Sequence, residues 1–237
     1  MVKYVIFDMD GTLFDTEPLY KEAWLKTLID WNFSDPLAIH ALCVGTGQAE
    51  IIEVLKKHGE EHRDYSTIFD YRNEHYYYKL IEKSIPLKAG CIEILDFLRD
   101  NGIKIALATS THEKTARGNL KKAGVIDYFD AIVTGDMVDY GKPAPDIFLK
   151  AGEMIGADAE QTFVCEDSYG GIRGAHAAGM KPIMVVDTLA PTDEMEKLTY
   201  AIGNSLFDVI ELIKKENNII YCPAYFNNFS CCNFCNS

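Results

Sequence analysis

No apolar run in these 237 residues approaches the roughly 20 needed to cross a bilayer, so a helical membrane span is excluded. The chain passes from Met1 straight into a strand pattern, without a charged-then-apolar leader or a cleavage site, and a cytoplasmic protein is expected. Basic residues are scarce: 23 Lys and Arg stand against 36 Asp and Glu, a net charge of −13. That balance argues against a nucleic-acid partner, which needs a basic face. It leaves an anionic ligand open, because a few lysines or a cation can reverse the potential inside one cleft. No internal repeat is present. Of seven cysteines, Cys43, Cys91 and Cys165 stand in apolar surroundings and read as buried thiols. Cys222, Cys231, Cys232 and Cys235 crowd the last sixteen residues. Cys232-x-x-Cys235 has metal-ligand spacing but lacks a second well-placed pair, so exposed thiols on a loose tail are expected rather than a zinc site.

What the chain does have is concentrated first at Tyr4-Val5-Ile6-Phe7-Asp8-Met9-Asp10-Gly11-Thr12. Tyr4 to Phe7 reads as a strand buried on both faces. Asp8 and Asp10, two apart on extended backbone, leave its carboxyl end pointing the same way. Gly11 lets the backbone turn, and Thr12 can hydrogen-bond the turn. Two like charges held close need a proton or a cation between them.

From about Thr16 to Ser84 the pattern is helical: Ala23, Trp24, Leu28, Trp31, Ile51, Ile52, Leu55, Ile68, Tyr71, Tyr78, Leu80 and Ile81 recur at helical spacing. Thr16 or Asp15 can cap the first of these helices, with Pro18 in its first turn. Gly45-Thr46-Gly47 breaks two helices and suits a flexible loop over a site. His58 and His62 are not expected to hold a metal, and Tyr76-Tyr77-Tyr78 reads as packing before ligand contact. From Pro86 onward helices and strands alternate. Strands are expected at 103–108, 131–134, 162–165 and 182–186, with helices between them and a last amphipathic helix over 205–215. Such a chain makes right-handed crossovers and a parallel sheet. The fold class is therefore α/β: a Rossmann-like parallel-sheet core from 1–15 and 86–215, an inserted α-helical cap from 16–85, and a poorly ordered tail from 216–237.

In open parallel sheets ligands bind beyond the carboxyl ends of the strands. Those ends carry Asp8 and Asp10, then Thr109-Ser110-Thr111, then Glu166-Asp167-Ser168, with Lys142 on the loop Tyr140-Gly141-Lys142-Pro143-Ala144-Pro145. Taken singly, Thr109 and Ser110 suit a helix cap, Lys142 a solvated loop and Glu166-Asp167 an acidic first turn. Their joint placement at successive strand ends fits phosphoryl transfer through an aspartyl phosphate. Asp8 is the expected nucleophile. Asp10 protonates the leaving oxygen and later takes a proton from water. Gly11, Thr109, the Ser110 N–H and Lys142 hold phosphoryl oxygens. Asp8, the Asp10 carbonyl, Asp167 and Glu166 suit Mg²⁺, which takes few protein oxygens and keeps some waters.

These motifs resemble those of the haloacid dehalogenase-like hydrolase superfamily, in the branch with a helical cap after the first strand. The nucleophile motif stands as Asp8-Met9-Asp10-Gly11-Thr12, the hydroxyl motif as Ala108-Thr109-Ser110, the lysine motif as Gly141-Lys142-Pro143 and onward to Phe148, and the acidic motif as Val164-Cys165-Glu166-Asp167-Ser168. The likeness runs from residue 1 to about 215. It implies a mobile cap and a Mg²⁺-dependent phosphatase. Dehalogenases of the superfamily lack the second aspartate, present here as Asp10. Beta-phosphoglucomutases carry a His in the first cap helix where this chain has Tyr20, and a cap Arg where it has Gln48. Water is thus the expected acceptor and a small phosphorylated metabolite, with sugar phosphates in view, the expected substrate. A phosphomutase is the alternative, a non-catalytic binding protein a weaker one. Tyr20, Gln48, Arg72 and Asn73 are the cap's candidate selectors, and a monomer or weak dimer is expected.

Overall fold

The computed structural model describes residues 1–44, 48–59 and 63–219. The expected loop Gly45-Thr46-Gly47, His62 and the four C-terminal cysteines lie outside the described residues.

Strand β1 (Tyr4–Phe7) leads directly into the insert, formed by α1 (Glu17–Asp30), α2 (Pro36–Cys43), α3 (Gln48–His58), α4 (Ile68–Arg72) and α5 (Tyr78–Lys83). The rest of the chain alternates: α6 (Cys91–Asp100), β2 (Lys104–Thr109), α7 (Glu113–Ala123), β3 (Ala131–Thr134), α8 (Asp146–Ile155), β4 (Thr162–Glu166), α9 (Tyr169–Ala177), β5 (Lys181–Val185), α10 (Asp193–Leu198), β6 (Ala201–Gly203) and α11 (Leu206–Glu216). The strands form one six-stranded sheet in the order β3-β2-β1-β4-β5-β6, and every pairing is parallel. Because β1 has β2 on one side and β4 on the other, the winding reverses beside it, and a crevice opens there at the carboxyl edge.

Alternation along each strand divides the core. Val5, Phe7, Ile105, Leu107 and Phe163 face α6, α7 and α11, whose Ile94, Leu98, Leu120, Val209 and Ile213 pack against them. Ile6, Ala106, Ala108 and Val164 face α8 and α9 through Ile147, Phe148, Ala151 and Ala175. Small Ala side chains on β2 let α8 approach the sheet closely. Each fully buried Phe or Leu in these layers contributes about 1.5–3 kcal/mol, enough to fix β1 and the backbone that follows it.

The cap has its own core, with Trp24, Leu28, Phe33, Ile39, Ile51, Leu55, Tyr65 and Ile68 in one cluster and Ala23, Tyr77 and Ile81 in another. Its two connections to the sheet domain run side by side: Asp15 N–H donates to the Pro86 carbonyl (2.9 Å) and Lys88 N–H to the Leu13 carbonyl (2.9 Å). Between α4 and α5 the chain makes a π-helical turn, Asn73–Tyr77. A π turn adds a residue and advances the helical phase. Hence the helical period that places Tyr78 in the core misses by one: Tyr77 is buried and Tyr78 is exposed.

Two short elements, α10 and β6, were not legible from the periodicity; three residues of strand with Ile202 outward carry no alternation signal. At the C-terminal end, α11 reaches Glu216 and Asn217 clamps the N-terminus. Its Oδ1 accepts from Val2 N–H (2.6 Å) and its Nδ2 donates to the Val2 carbonyl (2.9 Å), so ordered structure continues past residue 215. Cys43, Cys91 and Cys165 are buried, as expected. Among the described residues no helix is long and apolar enough to cross a membrane.

Candidate active site

Asp8 follows β1 immediately, and its N–H donates to the Cys165 carbonyl of β4 (3.0 Å), so the sheet ladder holds the residue's backbone. The residue is almost fully buried, 7% exposed. Lys142, from the loop between β3 and α8, donates to Asp8 Oδ1 and, at 2.6 Å, to Glu166 Oε1. Glu166 ends β4, and its second oxygen accepts from the Ser168 N–H (2.8 Å) and hydroxyl (2.9 Å). Gly171 leaves room for that carboxylate, since a methyl group there would overlap it. Both Glu166 oxygens are thus engaged in holding the lysine and the turn. Glu166, expected to suit Mg²⁺, here holds Lys142 and the Ser168 turn.

Gly11 sits at φ +83°, and its bare Cα faces the Asp167 carboxylate: a Cβ there would lie 3.0 Å from Asp167 Oδ1 and nearer still to its other oxygen. Glycine is required at this turn on both counts. Asp167 Oδ1 accepts from the Thr12 hydroxyl (3.0 Å). Asp10 lies on the other side of the turn. Its Oδ1 accepts from the Thr16 hydroxyl (3.1 Å) and its Oδ2 from the Thr111 hydroxyl (2.9 Å). Thr16 occupies the N-cap position of α1 yet makes no cap bond with its side chain; it is spent on Asp10 instead. Thr109 is buried, with its hydroxyl oxygen accepting from the Thr111 N–H (3.1 Å). Among the described residues no three His, Cys, Asp or Glu side chains gather as a ready-made metal cluster.

Asp10 opens into a cavity of about 310 Å³ between core and cap. Its cap side carries Tyr20, Gln48 and Asn73, together with Tyr77 and Tyr78; its core side carries Ser110 and Thr111. His112, Thr115 and Asn119, at the start and along α7, complete the core wall. Tyr20 and Tyr77 stack with centroids 4.0 Å apart, so the tyrosine run contributes both packing and cavity wall. Arg72 is not among the residues lining the cavity. It is folded back onto the rings of Trp24 and Tyr20, 4.8 and 5.1 Å from their centroids.

The model of the haloacid dehalogenase-like hydrolases matches residues 5–185, a span that contains every motif described above. The chain belongs to the haloacid dehalogenase-like hydrolases. It is 35% identical, over 179 residues, to the phosphorylated carbohydrates phosphatase of Thermotoga maritima, covering 76% of this chain and 82% of that one. It is 30% identical to the fructose-1-phosphate phosphatase of Escherichia coli over 183 residues, 76% of this chain and 95% of the relative. Among solved structures, a Thermotoga maritima protein provisionally assigned as a beta-phosphoglucomutase superposes with a TM-score of 0.76 at 30% identity, over 90% of this chain and 99% of its own.

The electrostatics of this dehalogenase-like site follow from burial. Desolvation pushes Asp8 up to about 7, against the pull of Lys142 and with Glu166 and Asp10 adding repulsion. Asp167 goes to about 9, by burial first and then by the charges of Glu166 and Asp8. Asp10 is raised by burial, although its two threonine hydroxyls oppose the shift. Burial alone would lower the Lys142 ammonium, but Asp8 and Glu166 outweigh it and keep it charged above the ordinary lysine range. Four carboxyl groups therefore share one ammonium, and the site has room for more positive charge. The sequence pointed to a turn hydrogen bond for Thr12, but not to its partner Asp167, nor to the roles of Thr16 and Thr111 on Asp10 or of Tyr77, His112, Thr115 and Asn119 in the cavity wall. Thr16 gave only a helix-cap signal, and the α7 residues gave none, because a wall between two domains has no sequence period.

Proposed function

We propose that this protein is a Mg²⁺-dependent phosphomonoester phosphatase acting on a small organic phosphate, with sugar phosphates the favoured class. The observation that carries the reading is the placement of Asp10. It stands two residues from a buried, lysine-bound Asp8, is raised in pKa by burial, and forms part of the cavity where a leaving group would sit. The phosphatase names of the two curated relatives support it.

In this reading the Asp8 carboxylate attacks phosphorus, and the bond from phosphorus to the ester oxygen breaks. Asp10, whose buried setting raises its carboxyl above the ordinary range, gives a proton to the departing oxygen. Water then attacks the phosphoaspartate, Asp10 takes the water's proton, and Asp8 and inorganic phosphate separate. Lys142, the Thr109 hydroxyl and the Ser110 N–H hold the phosphoryl oxygens, whose spread charge dominates the problem. The donor set suits Mg²⁺: Asp8, Asp167 and the Asp10 carbonyl are hard oxygens, and the two carboxylates are each raised in pKa by burial first and by neighbouring carboxylates after it. Bound there, Mg²⁺ would neutralise charge on the phosphoryl oxygens. Closed over a bound ester, cap and core would exclude bulk water from the cavity.

Hydrolysis is favoured over phosphoryl return to a sugar because Tyr20, pushed up to about 12 by burial, stays a neutral phenol and offers no base to a second hydroxyl. The buried thiols Cys91 and Cys165 support a cytoplasmic location. The test is phosphate release from para-nitrophenyl phosphate and a panel of sugar phosphates with Mg²⁺. Asp10→Asn should slow release by about 10²–10⁴-fold and accumulate a phosphoenzyme visible by intact mass. No release from any ester, or an unimpaired Asp10→Asn enzyme, removes the mechanism. Isomerised sugar phosphate without free phosphate would establish the mutase instead.

A further inference from the structure

Arg72 is a cation in an unusual position. It is half-buried in the cap, stacked near the rings of Tyr20, Trp24 and Phe69, and no carboxylate pairs with it among the described residues. Its hydrogen bonds go to one neutral atom. Nε (3.1 Å) and Nη2 (2.7 Å) both donate to Asn73 Oδ1. Arginine carries donors only, so this pincer fixes which end of the amide is which: the oxygen faces the guanidinium and the NH₂ must point away. Asn73 also opens the π-helical turn and lines the cavity beside Tyr20 and Tyr77. The same charge polarises the amide and strengthens the donors it leaves free.

The remainder of the cavity wall agrees with a neutral partner. Its described residues include no Lys or Arg; apart from Asp10 they are hydroxyls, amides and a histidine. A second phosphate or a carboxylate on the leaving group would meet no fixed cation there, and burying it unpaired would be costly. We propose that Asn73 is the cap's specificity-determining donor, reading an uncharged hydroxyl of the leaving group, and that Arg72 is the positioning residue that aims its NH₂ into the cavity. The substrate class is then a monophosphate of a neutral polyol. This rests on the phosphatase reading and names what that site selects.

The experiment compares kcat/KM for fructose 1-phosphate with that for para-nitrophenyl phosphate, whose leaving group offers no aliphatic hydroxyl. Asn73→Asp is the decisive variant. The new carboxylate keeps Arg72 as its partner, now as an ion pair, but has no NH₂ to offer. The ratio of the two kcat/KM values should fall about tenfold, the worth of one hydrogen bond to a neutral group, and KM should carry most of the loss. Arg72→Met should lower the ratio by a similar factor, Arg72→Lys should restore part of it, and Arg72→Met combined with Asn73→Asp should fall no further than either alone. Fructose 1,6-bisphosphate should be turned over less efficiently than fructose 1-phosphate. A ratio within twofold of wild type in Asn73→Asp overturns the inference, as do equal losses on both substrates in Arg72→Met or a preference for the bisphosphate. A wild-type protein that releases phosphate from neither ester would instead bring down the phosphatase reading, and this inference with it.

Discussion

The two sides of the cavity are built on different physics. On the core side acidic groups and one ammonium are locked together in a nearly dry setting: Lys142 bridges Asp8 Oδ1 and Glu166 Oε1, and Glu166 Oε2 accepts from Ser168. On the cap side Tyr20, Asn73 and Tyr77 present neutral polar atoms on a wall held by aromatic stacking. Charge in a low-dielectric site is expensive to misplace, so the core side tolerates little change. A neutral wall can exchange one hydroxyl for another at a cost near 1 kcal/mol. On the proposed mechanism the chemistry is fixed on one side while the choice of substrate remains adjustable on the other.

The sharpest way to break this contrast is Asp8→Asn. It keeps shape and Lys142 contact, and turnover of any phosphate ester should fall by about a thousandfold or more, with the melting temperature little changed. Retained activity would show that the dry side is not where the chemistry lies. Lys142→Met comes next. Removing the ammonium from between Asp8 and Glu166 should destabilise the fold by about 3–5 kcal/mol, measured by urea unfolding. The cost should be larger at pH 8 than at pH 5, where the abandoned carboxyls can protonate.

A third measurement uses the raised pKa values themselves. The folded protein holds protons on Asp8 and Asp167 more tightly than an unfolded chain, whose carboxyls titrate at 3.8. The stability they contribute is fully present below pH 3.8 and is lost as pH rises through about 7 for Asp8 and about 9 for Asp167. Metal-free protein should therefore melt at lower temperature at pH 8 than at pH 5. Mg²⁺ should raise the melting temperature more at pH 8, where it replaces protons that have left. Equal shifts at both pH values would sever the link between metal and carboxylates.

On the cap side the smallest effect is expected from Tyr20→Phe. The ring stack on Tyr77 survives and only a hydroxyl is removed, so stability should change by about 1 kcal/mol or less and KM for a sugar phosphate by a few-fold. A loss of kcat as large as that of Asp10→Asn would place Tyr20 in the chemistry and erase the contrast.

The core half of the site was readable because its parts sit at fixed offsets from strand ends. Asp8 and Asp10 follow β1, Thr109 closes β2, Glu166 and Asp167 close β4, and a parallel sheet gathers strand ends at one edge. Glu166 marks where that reading stops: its place at the site was legible, but its task of holding Lys142 depended on which oxygens its neighbours took. Arg72 shows the same limit in the cap. The sequence suggested a substrate contact; packing turned the guanidinium onto aromatic rings and left Asn73 to face the cavity.

Periodicity and motif spacing by themselves determined a parallel α/β core, a helical insert after β1 and a cluster of acids, hydroxyls and one lysine at the carboxyl edge. Those features depend on local propensity and on strand order, both of which are written along the chain. Tertiary structure alone decided that Thr16 and Thr111 hold Asp10, that a π turn buries Tyr77 and exposes Tyr78, and that Arg72 acts on Asn73. Each of these depends on which side chain reaches a given polar atom first once the domains are packed, and nothing in a linear order of residues specifies that competition.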